Sequence, residues 1–424
     1  MEIKVHKLKS TMELLKPVVP KKPSVKAIAC IALGNGKAIG TDLETMVIAN
    51  LPEAKEEMLL PFAAVSEMLK YVSSMDTVKI ELKGRMVFLT WEGGSASYPT
   101  EDYANFPALQ DMQIRADSQI DGDTLIAAMT AALPYVAGAA GKGGTSRPVL
   151  EGETLILGNP VDVAAGDGFR MTHQVLGLSY PLEEKIIIPA HSVAVLEHVF
   201  QKTPRTPPST ADTLVKAITA KRMLRVSLMG DHKLRIDFGT SASVILNLID
   251  GNPPEWLKLV PTGEPIMQSQ IFALHFEAAV KRVRDIAKEG SGIVRLEFIN
   301  GRLKVSAKGG DQEISSTIDT MLTQGESRRV GINQSYLLDF LSGKQGILTM
   351  SIYTDNGPVV FEYSKSPRVL IMPMQVQWED ASPPAEPAED IKEDVKSESG
   401  DDTESDSENS AETTEAETEA VAEE

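Results

Sequence analysis

One pattern of turns and apolar alternation occurs three times in this chain, and it limits the fold more than any other feature. Each copy is a strand, a Gly, Asp or Asn turn, a second strand, another turn and a third strand. The first copy is Val78–Leu82, the turn Lys83-Gly84, Met86–Thr90, then Gly93-Gly94 and a return through Tyr98. The second is Leu224–Leu228, Gly230-Asp231, Leu234–Phe238 and Val244–Ile249. The third is Leu348–Ile352, Asp355-Asn356-Gly357, Val359–Tyr363 and Val369–Met374. Apolar residues alternating between turn signals predict antiparallel meanders with one buried face. A segment with helical periodicity precedes each meander: Ala64–Val72, His191–Phe200 and Gln334–Leu341. Each third also opens with a helix of its own, over Ser10–Leu15, Thr124–Val136 and Phe272–Ala287, with Ser10 as an expected N-cap. Strands are expected within 27–49, 154–178 and 293–321.

The fold class is therefore α+β, in three tandem domains over residues 1–113, 118–262 and 265–378. The boundaries fall near Pro107-Ala108-Leu109 and Pro261-Thr262-Gly263. The prolines of Lys202–Pro208 cannot sit in a central strand, so an insertion is expected at about 202–220.

Charge divides the chain differently. The net charge of -18 lies almost wholly in residues 379–424, where 19 Asp and Glu face two lysines. The rest carries a net charge of about -1, so the acidity does not argue against a polyanionic partner for the folded part. The segment from Glu379 is poor in aliphatic and aromatic residues and is expected to be a disordered acidic tail. Such a tail either competes electrostatically for basic partners or simply keeps the chain solvated. No run of apolar residues is long enough to cross a membrane as a helix. A single cysteine, Cys30, sits in an apolar run and reads as a core thiol, in keeping with a reducing cytoplasm.

Enzyme signals are weak. Gly141–Ser146 lacks the spacing of a phosphate loop and the strand that should precede it. Gly34–Gly40 reads as a strand turn. His191 and His198 could share a helix face, but no third ligand is spaced for zinc. No catalytic residue, metal or cofactor is expected, and the chain is read as non-enzymatic.

Three similar domains in a row can form an arc whose terminal domains present free sheet edges. Head-to-tail pairing of such edges closes a ring if the rotation fits. A ring lined with helices can hold DNA without reading its sequence. The helical segments and their flanks carry cations for that purpose: Lys7, Lys9, Lys16, Lys70, Lys202, Lys281, Arg282, Arg284 and Lys288.

Six segments, in order, resemble those of a known family. They are Gly40-Thr41-Asp42-Leu43-Glu44, Tyr103-Ala104-Asn105-Phe106-Pro107, Ser146–Gly152, Gly166–Met171, Asn333–Asp339 and Val369-Leu370-Ile371-Met372-Pro373-Met374. Together they resemble the bacterial DNA polymerase III beta subunit, the sliding clamp, over residues 1–378. The resemblance implies three clamp-type domains, a head-to-tail homodimeric ring around duplex DNA, and a cytoplasmic, nucleoid-associated replication protein. It also implies that the clamp tethers a replicative polymerase, a clamp loader and repair proteins through a pocket for short peptides. By position the pocket would comprise Leu150, Asp167, Gly168, Phe169, Arg170, Met171, Pro254, Lys258, Leu259, Asn333, Tyr336, Pro358, Leu370, Met372, Pro373 and Met374. Lys22 and Lys142 stand where the family places cations near DNA. Gly166 replaces a usual threonine, Lys258 and Gln375 replace frequent arginines, and Ser291 lies near an often aromatic position. A clamp-like scaffold that binds peptides without encircling DNA is the competing expectation.

Overall fold

The computed structural model describes residues 1–108, 113–138, 147–203, 222–230, 232–299, 301–363 and 367–378. The first third runs β1 (Glu2–Lys4), α1 (Val5–Leu15), β2 (Cys30–Gly34), β3 (Lys37–Thr41), β4 (Thr45–Asn50) and β5 (Met58–Pro61). It ends with α2 (Phe62–Leu69), β6 (Thr77–Lys83), β7 (Met86–Trp91) and β8 (Gly94–Pro99). The second third repeats the order as β9 (Ile114–Asp121), α3 (Gly122–Ala132), β10 (Gly152–Leu157), β11 (Asp162–Gly166), β12 (Arg170–Val175) and β13 (Glu184–Pro189). It continues with α4 (Ala190–Lys202), β14 (Met223–Met229), β15 (Lys233–Phe238) and β16 (Ala242–Asn247), and a short α5 (Trp256–Leu259) follows. The last third runs β17 (Met267–Phe272), α6 (Ala273–Glu289), β18 (Ile293–Ile299), β19 (Arg302–Gly309), β20 (Gln312–Asp319) and β21 (Met321–Gly325). It closes with β22 (Arg329–Asn333), α7 (Gln334–Leu341), β23 (Ile347–Ile352), β24 (Val359–Tyr363) and β25 (Arg368–Ile371).

The repeat is therefore richer than the sequence pattern predicts. Each third also has a strand ahead of its opening helix (β1, β9 and β17), and that strand pairs with the meander of its own third. The first helix also begins earlier than expected. It starts at Val5, so Ser10 is not a cap but lies inside the helix, where its hydroxyl donates to the Lys7 carbonyl. The second third does have a side-chain cap, because Asp121 accepts from the backbone N–H groups of Asp123 and Thr124.

Every strand pair among the described residues is antiparallel, and the sheets do not respect the thirds. The strands after the first helix of one third join the meander of the next. Thus β5-β2-β3-β4 continues into β16-β15-β14-β9, and β13-β10-β11-β12 continues into β25-β24-β23-β17-β21. Both junctions use the same kind of pair, β4 with β16 and β12 with β25. Two four-stranded sheets are left over, β1-β6-β7-β8 and β20-β19-β18-β22.

Helices pack as pairs within each third, α1 with α2, α3 with α4 and α6 with α7. Apolar residues from helices and sheets form one large buried cluster, in which Leu8, Leu15, Ile31, Leu196, Phe276, Phe340 and Phe361 are essentially inaccessible. Residues Met1–Val376 form one body, and Gln377 and Trp378 are the described part of a second unit that runs to Glu424. The expected tail, the insertion beyond Thr203 and the loop containing Lys142 lie outside the described residues.

Candidate functional site

The junction between β12 and β25 gathers many of the expected pocket residues. Met171 pairs with Leu370, which pairs in turn with Val360 of β24, so the three share one face across three strands. They are buried in one cluster with Leu150, Ala137, Ala164 and Trp256. Trp256 lies on α5 and crosses this face, its indole N–H donating to the Thr154 hydroxyl at 2.8 Å. A Cβ at Gly166 would come within 2.8 Å of the Trp256 ring, which accounts for glycine at this position.

The turn Asp167-Gly168-Phe169 forms the rim. Asp167 Oδ1 accepts from the backbone N–H of Phe169 at 2.9 Å and of Arg170 at 3.0 Å. Gly168 has φ +96°, a conformation that favours glycine. Phe169 is left 57% exposed, and its carbonyl accepts from the Met372 N–H at 2.8 Å. The expected strand Val369–Met374 ends early, at Ile371, because Pro373 has no N–H to continue the ladder. Met374 instead bridges to Gly331 of β22, so the segment leaves one sheet for another with Met372 and Met374 exposed.

Arg170 ties the rim to the last third. Its guanidinium donates to Asp167 at 3.0 Å, Asp339 at 2.7 Å and the Pro134 carbonyl at 2.7 Å. Its Cζ lies 4.4 Å from the ring centroid of Tyr336 and 5.2 Å from that of Tyr135. Burial pushes both phenols above the ordinary tyrosine range, so they remain neutral donors. Asn333 caps α7 through the Ser335 N–H and so sets the direction from which Tyr336 reaches Arg170.

Pro254 accepts from the Trp256 N–H at the start of α5, while Lys258 and Leu259 project from that turn into solvent. Pro358 directly precedes β24, and Val360, two residues on, is the part of that strand in the buried cluster. Trp256, Val360, Tyr135 and Asp339 were not among the expected site residues. Asp339 closes the Asn333–Asp339 motif and could have been read from it. The other three meet the site only through pairing and packing between thirds.

The first junction is built from the same parts with different chemistry. Asp42 holds the turn before β4 as Asp167 holds the turn before β12, and Asn247 N–H donates to the Glu44 carbonyl as Met372 does to Phe169. Here Asp42 meets His191 at 2.7 Å, and the hydroxyls of Thr45 and Ser192 meet at 2.7 Å. Burial works against the Asp42 charge, but hydrogen bonds from His191 and from the Thr45 and Glu44 backbone hold its carboxyl below the usual range. The same bond raises the pKa of His191. His198 bonds to the Glu13 carbonyl, and no metal-binding cluster occurs among the described residues. Burial pushes the Cys30 thiol up to about 11, an inert position.

Several of the cations expected to face DNA are held by acids. Lys7 pairs with Glu53, Lys16 with Glu13, Lys70 with Glu67, Lys281 with Glu277 and Arg284 with Asp285. Lys22 is exposed in the bend after α1, whereas Lys142 lies outside the described residues.

Residues 259–375 match the family model of the DNA polymerase III beta subunit, C-terminal domain. The beta sliding clamp of Escherichia coli (strain K12) is 23% identical over 361 residues, covering 82% of this chain and 90% of that protein. A crystal structure of the DNA polymerase sliding clamp from Pseudomonas aeruginosa with ligand superposes with a TM-score of 0.77 at 19% identity, covering 89% of this chain and 99% of that one. Another structure from the same organism, a sliding clamp bound to griselimycin, gives a TM-score of 0.75 at 18% identity over 89% of this chain and 99% of that one. The solved structures carry the fold, and the family model over the last third together with the curated relatives all indicate the DNA polymerase III beta subunit family.

Proposed function

We propose that this protein is a DNA sliding clamp: a non-enzymatic ring of two copies that encircles duplex DNA and tethers a polymerase and other DNA-processing proteins by their peptides. One observation carries the ring. At each internal junction the last meander strand of one third pairs with the third strand after the opening helix of the third before it, as β16 with β4 and β25 with β12. The two strands in those positions left open are β8 and β20, each at the edge of a leftover sheet. β1 is only three residues long, and β22 is covered by the bridge to Met374, so β8 and β20 are the long free edges of these two sheets among the described residues. Pairing β8 of one copy with β20 of another repeats a junction the chain already makes twice, and doing so twice closes a ring of six domains.

The three-domain division at 1–113, 118–262 and 265–378 belongs to this reading. So does the pocket at the β12–β25 junction, where an apolar floor under a few polar groups suits linear peptides with hydrophobic anchors. Exposed Met372 and Met374 let it adapt to more than one sequence. DNA contact is assigned to Lys22 and the helix faces, through phosphates alone. Native mass spectrometry is expected to give twice the chain mass of 45.9 kDa. After loading, the protein should stay on circular DNA and slide off linear DNA. A monomer at micromolar concentration, or equal loss from both DNA forms, overturns the proposal.

A further inference from the structure

Apolar exposure around the β12–β25 junction is not confined to the expected pocket. Beside it lies a cavity of about 690 Å³ whose lining includes Val175, Leu257, Ile347, Glu362, Arg368 and His173. None of these six is among the expected pocket residues. The cavity continues the same sheet face along the same strands. Met171 is followed on that face by His173 and Val175 on β12, Leu370 by Arg368 on β25, and Val360 by Glu362 on β24. Val175, Leu257 and Ile347 are 56%, 55% and 50% exposed, although each is a large aliphatic residue. Large apolar side chains left in water around one cavity are the mark of a surface that is covered in use.

The acidic and basic side chains of the lining already have partners. Arg368 donates to Glu362 at 2.7 Å, and His173 meets Asp162 at 3.2 Å. A charged occupant would have to displace one of these partners, whereas an uncharged aliphatic side chain need only cover the apolar rim.

We propose that this cavity is a second anchor site for the same linear peptides, receiving an aliphatic residue that lies outside their core motif on one flank. The inference rests on the peptide-pocket reading above and makes the recognised segment longer than the sixteen expected residues would hold. Leu257 and Ile347 then set specificity among partners that share the core motif, because only those with the flanking residue gain the second anchor.

The test uses the full chain and synthetic fluorescent peptides. One peptide carries two hydrophobic anchors, leucine and phenylalanine, and two others add a short leucine-bearing extension at either end. Extension at one end is expected to tighten binding about tenfold, as burial of one aliphatic side chain should. Leu257→Gln with Ile347→Thr should abolish that gain and leave the short peptide's affinity unchanged. Val175→Thr alone, at a half-exposed position, should reduce it and guards against a folding defect. No gain from either end, or a gain that survives these substitutions, overturns the second anchor while leaving the pocket intact. If the short peptide does not bind, the pocket reading fails. A photo-crosslinker on the extension then decides the cavity by itself: adducts on β12 or β23 sustain it as a peptide site, and their absence overturns it.

Discussion

Glu153 is the residue least expected from its surroundings. It sits on β10 at 1% exposure, and neither carboxylate oxygen has a hydrogen-bond partner among the described residues. Burial raises its pKa well above the ordinary value of 4.5, because the ionised form cannot recover its lost hydration. The folded chain therefore holds a proton that the unfolded chain gives up near pH 4.5. Stability associated with Glu153 is full below that pH and falls as pH rises toward the folded value, by about 1.4 kcal/mol per pH unit within the window. Glu153→Met keeps the length and removes the titration. Chemical denaturation from pH 5 to pH 8 should show the variant's advantage growing with pH. Parallel stability curves for the two proteins would sink the idea.

At the scale of elements, the turn between β11 and β12 illustrates how one arginine can join two thirds of the chain. Arg170 is nearly buried, and its planar fork satisfies two carboxylates and a carbonyl at once. Lysine would keep the charge but could not reach all three. Arg170→Lys is therefore expected to cost about 2–3 kcal/mol and to weaken peptide binding at the rim. Urea denaturation and peptide titration measure the two effects, and a variant with wild-type values in both would show that the fork is dispensable.

Legibility in the sequence follows the same division between local and long-range structure. Turns such as Lys83-Gly84 and the helix Gln334–Leu341 were readable because short-range periodicity and turn chemistry decide them. Ser10 misled because a hydroxyl residue before an apolar run looks like a cap even when the five residues before it are already helical. The leading strands β1, β9 and β17 were missed, as was the continuation of sheets across thirds. A strand's partner lies far away in sequence, and nothing local names it. The proposed pocket shares that fate: Met171, Leu370 and Met372 were expected from family motifs, while Trp256 and Val360 became visible beside them only once β12 lay next to β25.

For the whole molecule, the question is whether β8 and β20 meet. Both are polar edges: β8 carries Ser95 and Ser97, and β20 carries Ser315 and Ser316. Serine-rich edges gain little from apolar burial, so a ring closed through them depends on backbone hydrogen bonds between strands. Successive N–H groups along a strand alternate in direction, so of Ala96 and Ser97 one directs its N–H toward β7 and the other toward the open side. Proline at the outward position removes a donor to the partner copy and leaves the protomer's own sheet intact. The loss of about 1.4 kcal/mol at each of the two junctions corresponds to a dimer dissociation constant raised about a hundredfold. Ala96→Pro and Ser97→Pro should therefore differ. One should lower protomer stability, and the other should give a folded monomer that binds the short peptide normally and no longer stays on circular DNA. Sedimentation and peptide titration of both variants decide the matter. If the folded variant remains a dimer at nanomolar concentration, the two copies meet somewhere other than this pair of edges.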